Sequence, residues 1–151
     1  MGKHAKISAQ LAGRTGDPDA RYHPCYIEYF RLFNAQGYYE AHDVLEHIWL
    51  GSGGEIRDFY KALIQFAGAF VHMQHNHRAP QHRIHGRRLR PAERLLRRSA
   101  QLLEPFSPHY EGVDVDKVRA LALRIAGDVA NCRHERNPWS PETAPHLDAP
   151  R

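Results

Sequence analysis

EIRDFYKALIQFAGAFVHMQHN, residues 55–76, is the stretch whose reading decides the fold. Its apolar residues cover most of a helical circumference, the pattern of a helix surrounded by other elements. The polar remainder is a narrow stripe. Asp58, Lys61, Gln65, Gly68, His72 and His75 fall within roughly 100° of arc at the helical step. Gly68 and Ala69 are small enough to let a neighbour approach the backbone.

Outward from this central helix, the same period recurs. YYEAHDVLEHIW, residues 38–49, precedes it and is closed by GSGG. Further upstream, Pro24 suits a first helical turn, Tyr26, Tyr29, Phe30 and Phe33 share one face, and Gly37 supplies a stop. Downstream, HRAPQHRIHG contains two breakers and reads as a connection. Pro91 and Glu93 then open PAERLLRRSAQLLE, which ends before Pro105, and Asp114 is placed to cap VDKVRALALRIAGDVANC. No strand or internal repeat stands out. The fold expected is all-α, a compact bundle of about five helices. Residues 1–19 read as a flexible N-terminal segment, 20–132 as the helical bundle domain, and 133–151 as a Pro-rich C-terminal tail from which Trp139 docks on the body.

With 151 residues, 42% apolar and 25% charged, the chain is sized for one soluble domain. No apolar run reaches the ~20 residues of a membrane helix, and MGKHAKISAQ lacks a signal-peptide core. No membrane association and a cytoplasmic location are therefore expected, with Cys25 and Cys132 as two thiols. The net charge of +4 is compatible with nucleic acid or acidic ligands without selecting either.

On the 38–49 helix, Ala41, Val44, Leu45, Ile48 and Trp49 form one apolar face, flanked by ionisable residues. Glu40, Asp43 and His47 share one edge. His42 and Glu46 share the other at i, i+4, with Trp49 a turn beyond. In an antiparallel hairpin across GSGG, His42 or Glu46 would meet Gln65 or His72. The candidate ligand site is thus Glu40, His42, Asp43, Glu46, Trp49, Gln65 and His72. A structural polar network tying two helices is the preferred reading. An acid–base or metal site on His42, Glu46 and His72 is the competitor, a divalent metal being the one cofactor considered. Glu-x-x-His pairs of di-iron bundles and the H-E-x-x-H zincin pattern are both missing from these helices.

FNAQGYYEAHDVLEHIWL followed by RDFYKALIQFAGAFVHMQ resembles a small helical family, domain of unknown function family 309. The matching positions are Glu40, Ala41, His42, Asp43, Glu46 and Trp49, then Phe59, Tyr60, Leu63, Ile64, Gln65, Ala67, Ala69 and His72, and the likeness runs over about residues 28–103. It implies a compact all-helical fold and a shared role for His42, Glu46, Gln65 and His72, but no activity. The chain departs from the pattern at HGRRLRPAERLL, where a proline intervenes.

Two biased tracts follow. His72, His75, His77, His82 and His85 crowd one segment that reads mostly as a solvated turn. Arg83, Arg87 and Arg88 lead into Arg90, Arg94, Arg97 and Arg98 on one side of the next helix, a stripe matched to phosphate geometry but without interleaved aromatics. Three functional classes result: a binding or interaction module built on the His/Glu/Gln cluster, an enzyme using His42, Glu46 and His72, and a nucleic-acid accessory protein using Arg90, Arg94, Arg97 and Arg98. The composition also admits a homo-oligomer.

Overall fold

The structure, a computed structural model, describes residues 21–151. The flexible segment expected over residues 1–19 lies outside the described residues. Among these there are five α-helices: α1 (Pro24–Asn34), α2 (Tyr38–Trp49), α3 (Glu55–Arg78), α4 (Leu89–Leu103) and α5 (Val115–Asn131). They are sequential neighbours in space, each packing on the next, as short connections require. Two 3₁₀ turns, His85–Arg87 and Glu104–Phe106, flank α4. A two-residue hairpin, β1 (His109–Tyr110) with β2 (Val113–Asp114), escaped the periodic reading. Its turn is local chemistry: Glu111 and Gly112 both take positive φ, 48° and 74°, which a tight hairpin turn demands.

The helix limits follow from capping. Pro24 opens α1, and the Asp114 side chain accepts from the Lys117 N–H at 3.0 Å to start α5. Pro91 falls in the first turn of α4, where its missing N–H costs no intrahelical bond. The proline that departs from the family pattern is thereby accommodated.

An aromatic cluster forms the core. Phe33, fully buried, touches Tyr38, Phe66 and Phe70 at centroid distances of 5.0, 5.5 and 4.9 Å. Tyr29 is also fully buried, and its hydroxyl donates to the Leu63 carbonyl at 2.6 Å. The α3–α4 seam buries Ser99, whose hydroxyl donates to the Ala62 carbonyl at 2.9 Å. No helix among the described residues is long and apolar enough to cross a membrane.

The C-terminal segment docks more fully than a single tryptophan. Leu147, like Trp139, is buried in the core, and Asn34 exchanges two hydrogen bonds with the Leu147 backbone, at 2.7 and 2.8 Å. Asn137 donates to the Met73 carbonyl and to Asn76 Oδ1. Asn76, itself buried, donates in turn to the carbonyls of His85 and Gly86, both at 3.2 Å. One amide therefore joins the end of α3, the turn before α4 and the C-terminal segment.

Candidate functional site

Helix α2 buries Tyr38, Ala41, Val44 and Leu45, which leaves its ionisable residues at the margins. His42 Nδ1 lies 3.5 Å from Glu46 Oε2, with the two side chains 33% and 42% exposed. That exposure makes the pair a rim contact, of the kind worth at most about 1 kcal/mol. Asp43 is half-buried, and a Cβ on Gly37 would lie 3.2 Å from the Glu40 carboxylate. His47, on the far edge, helps burial hold His23 of the α1 cap below its ordinary value. Trp49 lies under the Arg57 guanidinium, 4.5 Å from the ring centroid, and its buried Nε1 has no hydrogen-bond partner.

The polar stripe of α3 faces α4. Ser99 bonds to Ala62, a Cβ on Gly68 would lie 3.4 Å from Leu95 Cδ1, and His72 Nδ1 meets Arg88 Nη1 at 3.2 Å. Gln65 belongs to this row by its spacing, and its buried Oε1 is without a partner. Thus the structure brings His42 to Glu46 but forms no hydrogen bond or ion pair from either to Gln65 or His72. Helices α2 and α3 meet instead through apolar groups such as Tyr38 and Phe70. Among the described residues no three His, Cys, Asp or Glu side chains group so that they could hold a metal, and His42, Glu46 and His72 are no exception. Cys25 offers no nucleophile either, because burial, with Glu28 beside it, pushes its thiol up to about 11.

The histidine tract is more organised than a solvated turn. Arg88 donates from Nε to His85 Nδ1 at 2.8 Å and from Nη1 toward His72. His75 stacks on His85 at 5.0 Å, and His82 approaches His85 at 4.5 Å. Guanidinium can only donate, so the Nδ1 atoms of His72 and His85 accept and each neutral ring keeps its proton on Nε2. Rings committed in this way have no lone pair left for a metal. Burial, then the Arg88 charge, holds His72, His75 and His85 below their ordinary value.

The sign of the pH effect follows. The unfolded chain takes up protons near pH 6.5 that these folded rings refuse, so stability falls as pH drops through about 6.5. The urea midpoint is expected to be lower at pH 5.5 than at pH 7.5, and the difference should shrink in His72→Gln. Equal midpoints would refute it.

The arginines around this hub form one basic tract. Residues 78–98 hold eight arginines and one carboxylate, Glu93, a local surplus of +7 against +4 for the whole chain. The remainder of the molecule is therefore net acidic, and the positive charge is concentrated rather than spread. Arg97 and His134 occupy Glu93 at 2.7 and 2.6 Å, and Arg98 bonds to Gln101 at 2.8 Å. Arg78, Arg83, Arg87, Arg90 and Arg94 are exposed and have no ion pair among the described residues. A cleft of about 280 Å³ at the start of α4 gathers Arg87 and Arg90 with Arg133 from beyond α5. Sequence spacing could not find Arg133, more than forty residues away. Gly86 shapes the entry: a Cβ there would lie 2.5 Å from the Pro80 carbonyl oxygen.

Compared with known proteins, residues 26–84 match the family model described as Domain of unknown function (DUF309). This span takes in α2, α3 and nearly all of α1, with the paired motifs, and stops before α4. No curated protein and no solved structure matches the chain.

Proposed function

Since residues 26–84 belong to the DUF309 family, a description that carries no activity, we propose on physical grounds that this protein is a binding module for the phosphate backbone of a nucleic-acid duplex. The working face is the exposed side of α4 with the turn before it. The observation that carries this reading is the surplus of +7 within residues 78–98, most of it on exposed arginines without ion pairs among the described residues. Arg90 to Arg98 spans about 12 Å along the helix, a reach that covers several backbone phosphates. The stretch supplies no aromatic platform for stacked bases, which favours a duplex over a single strand. Contacts directed at the backbone in this way carry no sequence information, so the proposed binding is sequence-independent.

Such a ligand releases counterions as it docks. Fluorescence anisotropy with a short duplex at about 50–200 mM salt is expected to give a log–log slope near −4, the value for four to five neutralised phosphates. A slope near zero, or no binding at about 50 mM salt, would end this reading.

A further inference from the structure

A second cavity, of about 510 Å³, opens where the start of α3 meets the end of α4 and the hairpin. Glu55 and Asp58 line it from the first turn of α3, Lys61 lies one turn on, and Arg98 comes from α4. Among the described residues none of the four makes an ion pair, and Arg98 bonds to the neutral Gln101. Two acids and two bases sharing one hollow normally neutralise one another by contact, since close opposite charges gain on the order of 1 kcal/mol even in water. Here they stand apart. The same hollow has an aromatic wall: Phe106 and Tyr110 lie 4.6 Å apart and both rest on the buried Phe59, at 5.4 and 4.8 Å.

Ser107 and His109 line the same hollow beside Asp58, a set that invites comparison with a hydrolytic triad. Ser107 Oγ is buried and hydrogen-bonds to nothing, so it is neither activated by an imidazole nor open to a substrate. Catalysis by that route is thus set aside, and binding is left.

A lining with no net charge but separated poles complements a ligand with no net charge and separated poles. We infer that this cavity binds a free amino acid with an apolar, aromatic-sized side chain. Its carboxylate faces Lys61 and Arg98, its ammonium faces Glu55 and Asp58, and its side chain lies against Phe106 and Tyr110. The volume lies within the ordinary range for small-ligand pockets. A nucleic acid, uniformly negative, would meet two carboxylates here, so this site is separate from the duplex face although Arg98 borders both.

The test is calorimetric titration of the full chain with L-phenylalanine, L-phenylalaninamide and N-acetyl-L-phenylalanine. Saturable binding of the free amino acid is expected. The amide, which lacks the carboxylate, and the acetyl form, which lacks the ammonium, should each bind at least about tenfold more weakly. Lys61→Glu should weaken L-phenylalanine by a similar factor while leaving the far-UV spectrum unchanged; Asp58→Lys serves if that variant does not fold. No saturable heat with L-phenylalanine up to about 20 mM, equal binding of the three compounds, or unaltered affinity in a folded charge-reversal variant would each overturn the inference.

Discussion

Replacing Trp139 by alanine is expected to lower stability by about 3–5 kcal/mol, the usual cost of emptying a buried aromatic site. The indole is only 5% exposed, packs edge-on against Tyr38 at 5.9 Å, and donates from Nε1 to the Tyr38 hydroxyl at 3.0 Å. Burial pushes that hydroxyl up to about 12, and the indole bond offsets part of the shift, so both partners stay neutral at any ordinary pH. Removing the ring leaves the phenol oriented toward a void and unpins the segment that follows. For a chain of this size the melting temperature should fall by about 10 °C or more. Trp139→Phe, which keeps the ring but not the donor, should recover most of the loss. A drop of under about 1 kcal/mol in the alanine variant would mean that the C-terminal segment does not pack as described.

The second large effect concerns binding. Arg87→Glu/Arg90→Glu reverses two charges that share the cleft at the start of α4 and make no ion pair among the described residues. Each reversal removes one phosphate contact and adds a repulsion, so duplex affinity at about 100 mM salt should fall by on the order of a hundredfold. The salt slope should become shallower by about 2. Arg21→Glu/Arg124→Glu is the control, because it changes net charge equally but both residues are exposed and lie outside the basic tract. If both variants lose affinity alike, net charge alone governs binding and the α4 face has no special part in it.

Much of the architecture was legible because it is written in short-range period. The limits of α1, α3 and α5 follow from Pro24, the apolar wrap of residues 55–76 and the Asp114 cap, each acting within a turn or two of helix. The polar site was not legible in the same way. Period places Gln65, Gly68 and His72 on one stripe, but which neighbour covers that stripe is a tertiary decision. A hairpin with α2 was the simplest expectation. Aromatic packing around Phe33, Tyr38 and Phe70 instead gives α2 the apolar side, and the small Gly68 admits Leu95 of α4. His72 consequently pairs with Arg88, a residue that spacing had assigned only to a basic run. Arg133 and the docking of Leu147 lay further out of reach, because a Pro-rich segment has no period to read. Trp49 Nε1 and Gln65 Oε1, both at positions of the paired motifs, are buried polar atoms without hydrogen-bond partners among the described residues.

Asn76 gives the molecule a further property. Its single side chain holds the backbone that precedes Arg87 with one end and receives Asn137 with the other. Two surface segments more than fifty residues apart thus share one fastening, and neither can loosen without slackening the other. Tension applied where the basic turn grips a ligand would be felt along the chain's final stretch, which makes that stretch a brace for the turn.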